Sequence, residues 1–226
     1  EITLGGVDAT GDSSTVSGVS NSSDIVVFLT GERVDSTTAA QHGSDGNFTT
    51  EYVSASDVAR VTRNVGDTPG VAATAGVAVV EFKGSNWSIQ RVEHTFSAAG
   101  TTETESITAV GSLSRAFTHF QLRTDNIGLD ESTYEGWLSA TDTVSFQLQS
   151  GADVDHVAVA WVVESTQTSG TVMDVQRVSG SRGTGSGLSP DVWTETITSV
   201  SAMNTSSVMG ESCRTTGTGG AVDRGS

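Results

Sequence analysis

The chain has 226 residues with 11 basic against 27 acidic side chains, a net charge of −16 that sets it against a nucleic-acid partner. No apolar run approaches the roughly 20 residues that a membrane-spanning helix needs, so membrane insertion is not expected. Ser and Thr supply 64 residues, Gly 26 and Pro 2, a composition of β-strands joined by Gly-rich turns rather than of long helices.

Taken in chain order, Asp24–Thr30 holds the first strand signal, with Ile25 to Leu29 apolar. Gly76–Phe82 follows and then Trp87–Val92. Arg115–Arg123 occupies the place in the second half that Asp24–Thr30 holds in the first. Val144, Phe146 and Leu148 alternate with Ser145, Gln147 and Gln149, the pattern of a strand with one wet face. Val157–Val163 is apolar almost throughout, which predicts a central strand buried on both faces or one covered by a neighbouring subunit. A last strand is expected over Thr171–Val178. The segments between them, Asp8–Asn21, Asp35–Asn47, Asn64–Pro69, Thr124–Thr133 and Ser179–Pro190, are rich in Gly, Ser, Asp and Asn and read as loops.

The chain repeats itself. Tyr52-Val53-Ser54-Ala55-Ser56-Asp57 returns as Trp137-Leu138-Ser139-Ala140-Thr141-Asp142, and Val79-Val80-Glu81 as Val162-Val163-Glu164. Ile89-Gln90-Arg91-Val92 returns as Val175-Gln176-Arg177-Val178, and Thr104–Val110 as Thr194–Val200. The offsets are 85, 83, 86 and 90 residues in one order, a tandem duplication of a whole small domain. The predicted fold is all-β, tandem antiparallel β-sandwiches of jelly-roll or Ig-like type. Residues 1–95 form the first, 96–183 the second, and 184–226 a partial third repeat or C-terminal extension, with Gly180–Gly187 as linker. The chain begins at Glu1 without an initiator Met, and the third copy stops at Ser226, so a longer or processed polypeptide is expected. The 7 Phe and 4 Trp are few for two sandwich cores, which predicts homo-oligomerisation, as a trimer or through lattice contacts.

Lys83 is the single lysine. Arg-for-Lys coding in a GC-rich genome and an acidic, Lys-poor surface suited to high salt both account for it; the second points to a halophilic host or its virus. Cys213 is alone, so no disulfide framework is available, and an unpaired thiol is expected.

Chemistry-bearing motifs are sparse. Gly11-Asp12-Ser13 with Asp153-Val154-Asp155-His156 superficially matches the blocks of GDSL-type hydrolases, but no buried strand precedes Ser13 and no helices are visible, so no catalytic role is expected. His42, His94, His119 and His156 lack metal-ligand spacing. The loop carboxylates that would hold Ca²⁺ are Asp125, Asn126, Asp130 and Glu131, with Ser44, Asp45 and Asn47 as a second set; solvated acidic loops are the preferred reading of both. Asn21, Asn47, Asn86 and Asn204 each begin an Asn-x-Ser/Thr sequon. Tyr52 and Trp137 sit at matching repeat positions and Trp87 at a strand start; exposed, they would stack on sugar rings, and otherwise they plug their own sandwich. Glu81/Glu164 and Arg91/Arg177 recur in both copies, which predicts a structural Arg–Glu pair across adjacent strands.

Val159–Glu164, followed by Val175–Val178, resembles repeats of virion proteins from tailed phages and related archaeal viruses, the fibres, spikes and capsid decorations made of tandem β domains. The resemblance covers Glu1 to Ser179, and the first copy departs from it by reading Val77-Ala78-Val79-Val80-Glu81 without the Trp. It implies a non-enzymatic structural protein on the virion surface, or otherwise extracellular, whose partners are itself, other virion proteins and a host-surface glycan. The alternatives are a cellular adhesin, surface-layer or pilus-like subunit of a salt-tolerant microbe, and a secreted carbohydrate-binding module or hydrolase.

Overall fold

The structure is a computed structural model that describes residues 1–6, 9–34, 47–64, 71–97, 102–124, 134–148, 156–168 and 173–176. Apart from two single-turn 3-10 helices, every regular element of these residues is a strand. The first six are β1 (Ile2–Leu4), β2 (Thr10–Asp12), β3 (Ile25–Val34), β4 (Thr49–Val53), β5 (Val58–Thr62) and β6 (Ala73–Glu81). The next six are β7 (Trp87–Thr95), β8 (Thr102–Ser106), β9 (Ala116–Arg123), β10 (Tyr134–Ala140), β11 (Thr143–Leu148) and β12 (Val157–Ser165). β2 lies inside a stretch whose Gly, Ser and Asp content predicts only loop; three residues are too few to show a period, and pairing with β5 makes the strand. Met173–Gln176, expected as strand, carries no strand assignment.

The twelve strands form four antiparallel three-stranded sheets, β1-β6-β3, β2-β5-β4, β7-β12-β9 and β10-β11-β8. The second six repeat the first six strand for strand: first with last, second with fifth, third beside the last, fourth beside the fifth. Each set is one sandwich. Ile2 and Leu4 of β1 and Ala73 and Ala75 of β6 meet Val61 of β5 and Phe48 in the first core. Phe120, Leu122, Ala158, Ala160 and Val162 meet Leu138, Val144, Phe146 and Leu148 in the second. Together with Phe96, the Phe120 and Phe146 rings lock the second core edge to face, Phe146 lying 5.8 Å from Phe120 and 6.4 Å from Phe96.

The pairing moves one boundary. β7, which the repeat spacing puts at the end of a first unit reaching residue 95, pairs along its whole length with β12, Trp87 opposite Ser165 and Thr95 opposite Val157. The second sandwich therefore opens at Trp87. The repeat motifs fix a period but not its phase, and a strand joined to its own unit only by distant pairing carries no local mark of ownership.

All nine residues of β12 are buried. Ala158, Ala160 and Val162 face the core of their own sandwich. Val159, Trp161 and Val163 face the other way, into a second apolar cluster with Ile25, Val27 and Ala59 of the first sandwich. The double-sided burial predicted from the apolar run is met from within the chain.

Candidate functional site

The described residues bring the most varied side chains together at the junction between the sandwiches. In the first sandwich β3 and β4 are the outer strands of their sheets on the same side. That side presents unpaired backbone groups and the edge of the core, a surface that sheet proteins must cover. The outer face of β7-β12-β9 covers it. Gln121 on β9 accepts from Thr50 N at 2.8 Å and donates from Nε2 to Thr50 Oγ1 at 2.9 Å and to Val27 O at 3.2 Å. Arg91 on β7 donates from Nε to Thr50 O at 3.0 Å, and Arg123 from Nη1 to Thr49 Oγ1 at 2.7 Å. Glu93 holds both guanidinium groups, at 3.0 Å from Arg91 and 2.7 Å from Arg123. Burial pushes the Glu93 carboxyl up, and the hydrogen bonds and charge of Arg123 and then Arg91 outweigh this, leaving it below the usual carboxylate range.

Aromatic packing completes the seam. Phe28 lies 4.9 Å from His119, and Phe82 lies 5.0 Å from Trp87 and 6.4 Å from Phe117. Burial holds the His119 imidazole down at about 4, so it is neutral at physiological pH. Between the sandwiches a small groove of about 220 Å³ remains, lined by Ser22, Ser23, Ile25, Glu51, Tyr52, Ile89, Arg91 and Trp161. The Arg91 guanidinium lies 5.8 Å from the centroid of the Trp161 ring.

The three aromatic residues that would stack on sugars are not brought together. Tyr52 lines the groove, and its hydroxyl donates to Asp57 at 2.9 Å. Trp87 is packed against Phe82 in the seam. Trp137 stands opposite Ser145, one residue out of step with the inward pairs Gly136–Phe146 and Leu138–Val144, and so on the opposite face from them. Tyr52 by contrast stands opposite the fully buried Ala59 and points inward. The two aromatics match in sequence but not in space. The first hairpin turns through Ser54–Asp57, whereas Ala140 already pairs with Thr143 in the second, and a register shift between Leu138 and Ala140 turns the strand over.

Glu81 and Arg91 do not form the expected cross-strand pair, and Arg177, the counterpart for Glu164, lies outside the described residues. Glu81 accepts from the backbone N–H of Ser20 and Asn21, both at 2.8 Å, and from the Ser20 hydroxyl, with Lys83 at 3.1 Å. The Ser20 hydroxyl bond is the largest influence holding the Glu81 carboxyl down at about 2. Glu164 accepts from Gly111 N at 2.5 Å in the second sandwich. The shared role is to anchor the loop before each 3-10 turn, Ser22–Asp24 and Leu113–Arg115. Arg91 goes instead to the edge of β4, a long-range contact that no local spacing signals.

The Ser13 hydroxyl donates to Ser14 O and accepts from Ala59 N, and Arg60 binds Asp12 bidentately at 2.7 and 2.9 Å. His156 is wholly buried at the start of the second sandwich's central strand. Asn47 is buried, whereas Asn21 and Asn86 are exposed. Among the described residues no group of three His, Cys, Asp or Glu is placed to hold a metal ion. The Ca²⁺ candidates Asp125, Asn126, Asp130 and Glu131, together with Ser44 and Asp45, lie outside the described residues, as do Arg177, Gly180–Gly187, Asn204 and Cys213. No helix of the described residues is long and apolar enough to cross a membrane. Comparison with protein families, with curated proteins and with solved structures finds no match.

Proposed function

We propose that this chain is a structural, non-enzymatic protein of a virus particle, a string of β-sandwiches that oligomerises on a capsid or tail and touches a host-surface glycan. The observation that carries the reading is the junction. One sandwich is finished only when the next lays a sheet face over its open edge, and Val175 N, which follows the second sandwich, donates to Ser114 O of the second 3-10 turn at 2.7 Å. Such an arrangement makes length and stiffness, which fibres, spikes and decorations use. The strand orders β1-β6-β3 and β2-β5-β4 support a jelly-roll type of sandwich with one hairpin fewer, an architecture common in capsid proteins. The resemblance of Val159–Glu164 and Val175–Val178 to virion repeats supports the same reading.

The acidic, Lys-poor composition favours a second reading on its own account, a surface-layer, pilus-like or adhesin subunit of a salt-tolerant microbe. The mass of the native assembly by light scattering, in low and then multi-molar salt, tests the proposal. A closed oligomer of several copies is the expected result, and assembly only in high salt adds the halophilic origin. A monomer in both conditions overturns the virion role.

A further inference from the structure

We infer that the side of the second sandwich formed by β9 and β10 is the docking surface for the third repeat of this chain, the segment running on from Val175. The seating is that of the second sandwich on β3 and β4. β9 and β10 are outer strands of their sheets, as β3 and β4 are. In the first junction β7 lies against the 3-10 turn Ser22–Asp24, and Ile89 lines the groove with Ser22 and Ser23. The repeat places Val175 where Ile89 stands, and Ser114 is the middle residue of the second 3-10 turn as Ser23 is of the first. Val175 N donates to Ser114 O at 2.7 Å, so the opening of the third repeat meets the second sandwich at the corresponding turn. Outer strands of a sandwich have to be covered or blunted, and a repeat tethered beside them reaches them at high effective concentration.

The side chains fit the same relation with one exchange. Thr50 stands opposite Val61 and Gly136 opposite Phe146, both fully buried core residues, so Gly136 holds the place of Thr50. Glu135 and Trp137 then hold the places of Thr49 and Glu51, on the outward face. In the first junction Arg91 donates to Thr50 O, and its counter-ion Glu93 lies two residues further along the same strand. Arg177 is the counterpart of Arg91 in the third repeat, but Ser179 stands where Glu93 does. Both lie outside the described residues and enter by their place in the repeat. The third repeat thus keeps the guanidinium without the carboxylate, and β10 carries Glu135 in place of the neutral Thr49. A guanidinium directed at Gly136 O lies between Glu135 and the Trp137 indole, an ion pair on one side and a cation–π partner on the other. The corresponding face of the first sandwich carries Gly76 and Ala78 where the seated face has Val159 and Trp161, which disfavours a second copy as the occupant.

The test uses the full chain carrying Cys213→Ser, so that introduced thiols are the only ones. Trp137→Cys with Arg177→Cys is treated with a short bismaleimide in dilute solution and read by intact mass. Glu51→Cys with Arg91→Cys, both lining the first groove, is the reference, and Thr3→Cys with Arg177→Cys is the control that should stay unbridged. A bridge within one chain is expected for the Trp137–Arg177 pair as for the reference. No bridge overturns the docking, and a bridge between two chains gives the surface to a second copy and overturns it equally. Hydrogen exchange supplies a readout without added thiols. Deuterium uptake over Tyr134–Ala140 should rise at least about threefold in Arg177→Glu, with Thr49–Val53 unchanged, and return when Glu135→Arg is added. An unchanged uptake, or a rise that the charge swap leaves in place, overturns the assignment. None of these readouts depends on the oligomer that the virion reading requires, so either inference can fail while the other stands.

Discussion

At the scale of single residues, two groups at the seam set how the molecule responds to acid and to truncation. His119 is held neutral down to about pH 4, whereas an unfolded chain takes up that proton near 6.5. Its folded pKa is depressed, and its charged form is the one burial penalises. Stability is therefore fully present above about pH 6.5 and falls as the pH drops from 6.5 towards 4. After allowance for partial exposure the loss is on the order of 2 kcal/mol. Unfolding free energies from denaturant titration at pH 7 and pH 4.5 should differ by this amount in the native chain and by much less in His119→Phe; an equal drop in both would remove His119 as the cause. Glu81 does not share this window, because its carboxyl stays ionised down to about 2. Gln121→Ala strands Thr50 N, whereas Val27 O keeps the Thr50 hydroxyl as donor at 2.6 Å, so it should cost about 1–3 kcal/mol in urea unfolding. A loss below about 0.5 kcal/mol would mean that water replaces the amide. Gly136→Ala would place a methyl group 2.5 Å from the Phe120 ring, which is itself packed on Phe146. Overpacking of that kind costs about 1–3 kcal/mol, and the melting temperature of the variant measures it.

At the scale of elements, long strands were legible and their partners were not. The apolar run Val157–Val163 and the alternation at Val144, Phe146 and Leu148 announce β12 and β11 within a residue or two. β2 was hidden because three residues leave no period to read. Ownership of β7 was hidden because Trp87–Thr95 meets β12 some 70 residues away, and only pairing assigns it. The candidate site was half visible. Tyr52 and Arg91 stood out because their motifs repeat, but Trp161 and Glu51 acquire meaning only when the second sandwich is laid across the first. Repetition also misled, since Tyr52 and Trp137 share a motif yet face opposite ways after a one-residue change of register. Glu81 and Glu164 show the opposite case. Their repetition did mark a shared task, which is to hold the loop before a 3-10 turn, and the sequence pointed to the residues without naming the acceptor geometry.

At the scale of the whole molecule, the seam and the surface charge act against each other, and salt decides the balance. Val159, Trp161 and Val163 would be exposed if the sandwiches separated, so the two should unfold as one unit. The net charge of −16 works to expand the same chain by self-repulsion. Screening is modest at 0.1 M, where the Debye length is about 10 Å, and nearly complete at 1 M, where it is about 3 Å. The Arg91–Glu93–Arg123 cluster also weakens with salt, but those groups are partly buried and few. Repulsion among the surplus carboxylates extends over the whole surface and loses more. Calorimetry should therefore show a single transition whose midpoint rises between 0.1 and 1 M NaCl, by about 2–4 °C for each kcal/mol of repulsion removed. Two separated transitions would show that the seam does not couple the sandwiches. A midpoint that falls with salt would show that the ion cluster outweighs the net charge, and with that the case for a high-salt habitat would fail.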